Sequence, residues 1–513
     1  MRGVCLMGSR IKNARRNIWT GVLNKIVTLA LPFVIRTIII QKLGFEYLGL
    51  GSLYTSILQV LSMAELGFSS AVVFSLYKPL AENNETEICA LMAFYRKIYR
   101  IVGSVICIVG ILLLPFLKFL IKGSYPDTIN IYVLYLIFLA NTVVSYFVFA
   151  YKNVLLTASQ RQDLISNIDT ILGLIRSILQ IIVLLVWKNY YIYTIVIVLF
   201  TVVNNIVIAY ITKKMYPQYV CRGKLNHNNV ETITTQIKGL AIGKFSVIAR
   251  NSFDSIVLSM FCGLVDVAIY SNYYYVFNSI IGFITVLIQA LTAGIGNSVA
   301  VETVKKNYED FKKLYFVMSW LGAWCTVCLL CLYQPFMKMW AGDKFVASFP
   351  IVILFCIYFY ITQMGQVRSM YANAAGLWWE FRNFEIAEMI GNIILNFTLG
   401  YFFGMLGILI ATIVTVFLCS IIGLTNVTYK CYFRCSSKYF YLESFKYIII
   451  TCCVSAVTYF ICNLIHVSEL PGLVIKGVIC LIIPNLLISL MLLWNKRYRT
   501  YIIDIFNSFF SKR

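Results

Sequence analysis

Seven ionisable side chains stand in stretches otherwise apolar enough to cross a bilayer. They are Lys25 and Arg36 in "VLNKIVTLALPFVIRTIIIQKLG", Glu65 in "LSMAELGF", Asp169 and Arg176 in "IDTILGLIRSIL", and Arg250 and Asp254 in "IARNSFDSIV". A charge near the bilayer centre costs at least a few kcal/mol, so such groups turn toward protein, water or a ligand. Arg250 and Asp254 are i, i+4 on one helical face and can form an ion pair within the helix. Lys25 and Glu65 fall at similar depth on adjacent antiparallel helices, where they are either a fixed pair or a proton- or ion-coupling element. Arg36 lies within about two turns of a span end and has snorkelling toward headgroups as its alternative role. Pro32, one turn earlier, removes a backbone hydrogen bond and kinks the helix.

Other chemistries find no support in the residue pattern. Cys325, Cys328 and Cys331 in "WCTVCLLC" share a helical face, but no His or carboxylate stands near them in sequence. They read as small apolar packing residues and not as a metal site. The stretch "GLAIGKF" is one residue short of a P-loop and has Phe245 where Ser or Thr is required. No aspartate is two residues from another, which removes the usual metal pair of sugar-nucleotide transferases, and His227 and His466 have no catalytic partner in view. The expectation is a protein that is not an enzyme, with no catalytic residue, no metal and no cofactor.

The elements that must position the charges follow from composition. The chain has 513 residues, of which 60% are hydrophobic and 12% charged. With a mean hydropathy of +0.82 it cannot hide its apolar surface in a soluble core. The apolar runs are long and uninterrupted, which favours helices over a barrel. Runs of spanning length stand at about 17–41, 48–77, 98–120, 129–157, 167–187, 191–212, 239–262, 270–300, 314–335, 348–371, 384–403, 404–427, 445–467 and 472–494. The least marked cut is 403/404, where only Gly404 and Gly407 offer a turn. The expected fold is an all-α polytopic membrane protein of about fourteen helices. The first run lacks the small-residue exit of a cleavable signal.

Lys and Arg fall in alternate loops, thirty-two on one side against seven on the other (Lys42, Lys118, Lys122, Lys188, Lys338, Lys344 and Lys476). That asymmetry places both termini in the cytoplasm. It also assigns the net charge of +22 to orientation and anionic headgroups, not to nucleic acid.

The longest polar stretch divides the chain into an N-terminal six-helix bundle (1–212), a cytoplasmic loop (213–238), a second six-helix bundle (239–427) and an appended helix pair with a basic tail (428–513). A weak repeat joins the bundles: Gly44 placed on Gly263 puts Ser52 on Ser271 and Tyr54 on Tyr273. Repeats of this kind build alternating-access transporters. Tyr54 and Tyr273 are candidates to stack on sugar rings, although the cluster "AIYSNYYYVFNS" around Tyr273 also suits an interfacial aromatic belt.

The stretch "RNIWTGVLNKIVTLALPFVIRTIIIQKLGFEYLGLGSLYTSILQVLSMAELGFSSAVVFSLYKPLAE" resembles the opening of bacterial polysaccharide repeat-unit flippases, members of the multidrug/oligosaccharidyl-lipid/polysaccharide exporter superfamily. The resemblance implies two bundles around a central cavity that opens alternately to each side, in the bacterial cytoplasmic membrane. It implies as cargo an undecaprenyl-diphosphate-linked oligosaccharide, bound through its pyrophosphate by Arg36 and Arg250, with Lys25 or Arg176 assisting. Glu65, Asp254 and Asp169 are then the candidates for ion pairing or for coupling to H+ or Na+. Implied partners are the bilayer, a polysaccharide polymerase and glycosyltransferases. A drug or metabolite antiporter of the same fold is the rival reading, with a membrane glycan polymerase behind it.

Overall fold

The computed structural model describes residues 30–65, 68–225, 227–465, 467, 469–492 and 496–501. Every regular element among them is helical. The chain forms two compact units, residues 1–271 and 272–513.

The first unit begins with α1 (30–42), which ends at Gly44. Then follow α2 (Phe45–Leu61), a 3-10 turn (Ser62–Glu65), α3 (Phe68–Ala81), α4 (Glu85–Leu112), α5 (Ile131–Phe147), the short α6 (Asn153–Ala158), α7 (Gln162–Val186), α8 (Tyr190–Met215) and α9 (His227–Phe261). Asparagines set several helix starts: Asn84, Asn130 and Asn189 each accept from backbone N–H groups of the first turn, which satisfies donors that have no partner inside the helix. α9 packs against α2 and α3, and α7 pairs with α8.

The second unit takes up most of α10 (Leu264–Val301), then α11 (Val304–Ala341), α12 (Phe349–Met364), α13 (Gln366–Ala374), α14 (Trp378–Thr415), a π-helical stretch (Val416–Leu424), α15 (Thr425–Thr428), a second π-helical stretch (Tyr429–Phe433), α16 (Lys438–Asn463) and α17 (Glu469–Leu492). α11 is its hub and packs against α12, α16 and α17. Two indoles fix α17 to it: Trp320 Nε1 donates to Asn485 Oδ1 at 2.9 Å and Trp324 Nε1 to the Cys480 carbonyl at 2.8 Å.

α14 reverses inside its own length. Gly404 has φ 56° and ψ −132°, outside the helical region, a conformation open in practice only to glycine. The arms on either side run antiparallel, since Asn392 Nδ2 donates to Thr412 Oγ1 at 3.2 Å and to Thr415 Oγ1 at 3.3 Å. A Cβ on Gly407 would lie 2.0 Å from the Leu399 carbonyl oxygen, so the arms meet backbone to backbone. The turn lies at the expected 403/404 cut.

Among the described residues, eight helices are long and apolar enough to cross a membrane, or ten if each of two bent pairs is one span. The difference from about fourteen has visible sources. Most of the first run lies outside the described residues, the second run is broken by the 3-10 turn at Ser62–Glu65, the seventh, on α9, is not among the ten, and the eleventh and twelfth share the continuous stretch Trp378–Phe433. Large apolar side chains such as Ile171, Ile178 and Val186 on α7 and Val474, Val478 and Leu481 on α17 are exposed. Rows of this kind on helices with internally satisfied backbones are what a bilayer solvates, and the protein is a multi-pass membrane protein.

The internal repeat has a structural counterpart in each unit. Gly44 and Gly263 both take positive φ, 121° and 100°, at helix junctions. Tyr54 and Tyr273, both buried, each bond the backbone where a later helix begins: Tyr54 Oη donates to the Ile131 carbonyl at 2.9 Å at the start of α5, and Tyr273 Oη accepts from Ala347 N at 3.1 Å just before α12.

Candidate functional site

Within the first unit, residues of α1, α7 and α8 wall one cavity of about 280 Å³. Leu31 and Pro32 of α1 form one wall, Asp169, Gly173 and Arg176 of α7 a second, and Thr201 and Asn204 of α8 a third. Asn204 Nδ2 donates to Asp169 Oδ1 at 3.0 Å, and the Arg176 guanidinium is in electrostatic reach of the same carboxylate. Arg176 Nε is buried without a hydrogen-bond partner. A buried guanidinium N–H left over in this way is a donor available to an anion.

Arg36 lies one turn beyond Pro32, half-buried, and its Nη1 donates to Ser271 Oγ at 3.3 Å. Tyr193 is in electrostatic reach of both Arg36 and Arg176, and its ring stacks on Tyr190 at 5.2 Å. The two arginines, distant in sequence, therefore both act electrostatically on one tyrosine. Ligand pockets for drug-sized molecules run from about 300 to 1,000 Å³, so this cavity has room for a charged headgroup and not for a lipid-linked sugar chain.

Arg250 and Asp254 occupy α9. Asp254 is buried and accepts from Tyr270 Oη at 2.8 Å. Nearby, Ser252 Oγ donates to Gln59 Oε1 at 3.3 Å and ties α9 to α2. Removing one donor from a buried carboxylate costs about 1–3 kcal/mol. Tyr270→Phe is expected to lower the thermal midpoint of the detergent-solubilised protein by several degrees; an unchanged midpoint would show that the carboxylate does not depend on this hydroxyl.

Lys25 lies outside the described residues, as does the side chain of Glu65, so their pairing does too. Tyr54 and Tyr273 are enclosed by protein. Tyr54 meets Tyr135 edge-on at 5.4 Å, and Tyr273 stacks on Phe355 at 5.7 Å. Contact with a sugar would require each to leave that packing.

In the second unit stands a charged pair that the sequence reading passed over. Arg368 of α13 and Glu388 of α14 are only 2% and 5% exposed. Arg368 Nη2 donates to Ser369 Oγ at 3.1 Å and to Ser420 Oγ at 3.3 Å, and Nη1 donates to the Ser420 carbonyl. Glu388 is the foremost acidic group acting on it. Arg368 was obscured by standing near the end of its apolar run. Glu388 carried a readable signal: in "EMIGNIILN", Glu388, Asn392 and Asn396 recur at i, i+4, i+8, a polar stripe along one face of an apolar helix. The two asparagines are buried, and Asn396 Nδ2 donates to Asn392 Oδ1 at 3.1 Å.

Comparison with known proteins bears on both the sequence and the fold. The model of a family described as polysaccharide biosynthesis protein matches residues 14–292, more than half of the chain. No curated protein matches it. Among solved structures, an inward-facing multidrug resistance MATE family transporter of the MOP superfamily is similar with a TM-score of 0.63 at 14% identity, covering 80% of this chain and 98% of that one. The lipid II flippase MurJ in an inward closed conformation is similar with a TM-score of 0.63 at 14% identity, covering 94% of this chain and 100% of that one. A MOP superfamily transporter from Pyrococcus furiosus is similar with a TM-score of 0.56 at 14% identity, covering 80% and 95%. At these identities the likeness establishes the fold.

Proposed function

We propose, from the premise that the chain belongs to the polysaccharide biosynthesis protein family, that it is a flippase which carries undecaprenyl-diphosphate-linked oligosaccharide repeat units from the cytoplasmic to the outer leaflet for surface polysaccharide assembly. The observation that carries this reading is the buried Arg176 Nε, without a hydrogen-bond partner, in the wall of a small cavity formed by α1, α7 and α8, with Arg36 one turn beyond Pro32 of the α1 wall. A pyrophosphate entering an apolar medium must replace its hydration, and guanidinium forks supply charge-assisted donors in the matching geometry. The cavity accepts the headgroup alone, which leaves the sugars and the lipid tail to lie elsewhere. Its MOP-type fold, shared with MurJ, a lipid II flippase, supports alternating access as the transport cycle.

Arg250 is a second pyrophosphate contact in this scheme, with Lys25 assisting. Asp169 and Asp254, with Glu65, are the groups through which H+ or Na+ drives the cycle. The proposal includes the bacterial cytoplasmic membrane as its place, cytoplasmic termini, bundles at 1–212 and 239–427, and a polysaccharide polymerase and glycosyltransferases as working neighbours. Energy comes from an ion gradient or from consumption of the flipped product, and the protein performs no covalent chemistry of its own.

Deletion of the gene in its host tests the reading. The expected outcome is lipid-linked oligosaccharide trapped on the inner leaflet, inaccessible to an external glycan-modifying reagent until the gene is restored. Unchanged lipid-linked intermediates in the deletion strain would remove the flippase reading and favour an antiporter of small metabolites.

A further inference from the structure

We propose that Cys331, Cys462 and Cys480 form a three-thiolate site for a soft monovalent cation of the copper(I) class. They come from three helices, α11, α16 and α17, all are buried, and their Sγ atoms lie within 4.8 Å of one another. Metal–sulfur bonds of about 2.3 Å in a trigonal plane set sulfurs about 4 Å apart, so the side chains need to close by less than about 1 Å. Thiolate ligands select soft ions, and zinc in structural sites takes a fourth ligand. No His or carboxylate belongs to this group, which is the one such cluster among the described residues. A three-coordinate, all-sulfur environment therefore suits copper(I).

The surroundings fit the assignment. Cys480 is held by its carbonyl, which accepts from Trp324 Nε1 at 2.8 Å and from Cys328 Sγ at 3.7 Å. Outer contacts of this kind hold a ligand in place before the metal arrives. A cavity of about 930 Å³ reaches the site, with Cys331 in its wall beside Lys338, Asn463 and Lys476. Three thiolates and one copper(I) carry two net negative charges. Lys476, one turn before Cys480, is in electrostatic reach of both Cys462 and Cys480 and offsets part of that charge. On binding, each thiol gives its proton to solvent and no electron moves. The bound ion fastens α16 and α17 to α11, a role independent of the transported cargo.

From single runs of sequence the cysteines read as packing residues, and Cys325 and Cys328 stay outside the triad. The triad arises only because distant helices meet.

The test uses the full-length protein, purified reduced and without oxygen in detergent, and titrated with copper(I) held by a chromophoric chelator. The expected result is withdrawal of one copper per chain, with at least a 100-fold loss of affinity in each of Cys331→Ser, Cys462→Ser and Cys480→Ser, and none in Cys452→Ser, an exposed cysteine. Equal uptake by the wild type and the three variants overturns the proposal. Should the variants not fold, X-ray absorption of the copper-loaded wild type decides: a single sulfur shell at about 2.3 Å supports the site, and nitrogen or oxygen ligation overturns it.

Discussion

Arg36→Ala, expressed at the level of the wild-type protein in a deletion strain, is expected to clear trapped lipid-linked oligosaccharide about 10- to 100-fold more slowly. A charge-assisted hydrogen bond contributes about 1.5–3 kcal/mol, and each 1.4 kcal/mol is roughly a factor of ten. Arg36→Lys keeps the charge and loses the planar fork, so it falls between the two. Arg176→Ala is expected to behave like Arg36→Ala, because its buried Nε stands in the cavity wall without a hydrogen-bond partner. Wild-type clearance by Arg36→Ala would leave the side chain with a headgroup-facing role and take the pyrophosphate contact away from α1.

The largest structural effect is expected at Gly49. A Cβ there would stand 2.1 Å from the carbonyl oxygen of Leu264, far inside van der Waals contact with backbone at the start of α10. Relief requires α2 to move away from a segment that Gly263, at φ 100°, already turns sharply. Gly49→Ala is therefore expected to cost at least about 3 kcal/mol, at the top of the usual overpacking range, because the conflict is with backbone and not with a side chain that can turn away. The reading is the yield of monodisperse protein and its thermal midpoint. Gly294→Ala is the control, since nothing stands within 4 Å of a Cβ at that position and alanine gains about 0.5–1 kcal/mol over glycine inside a helix. If both variants match the wild type, α2 and α10 are not in backbone contact.

Local signals gave the elements, and long-range contacts supplied most of the chemistry. The turn at Gly404 was readable because a bilayer limits helix length and glycine alone suits the reversal. The pairing of Gly44 with Gly263, and of Tyr54 with Tyr273, was readable because a repeat copies its turns. What Tyr54 and Tyr273 do was not readable from their type, since a tyrosine that bonds a distant helix start looks in sequence like one that meets a sugar. Arg368 and Glu388 were hidden by averaging, because a run that is apolar overall absorbs one charge without losing its length. The approach of Arg36 and Arg176 depends on how α1, α7 and α8 pack, and hydropathy is silent on that. The meeting of Cys331, Cys462 and Cys480 likewise exists only after α16 and α17 have docked on α11.

The indole hydrogen bonds from α11 to α17 have an optical consequence. Indole emission shifts to the red as its surroundings become more polar, and Trp324 donates to the carbonyl of Cys480 itself. Any loosening of α17 would free that N–H and wet the ring, while tightening would hold its emission blue. Trp320, bonded to Asn485 one and a half turns farther along α17, samples the same contact at a second depth. The protein thus contains its own pair of dyes at the junction of its appended helices, and difference spectra against Trp324→Phe would follow that junction in a bilayer without any label.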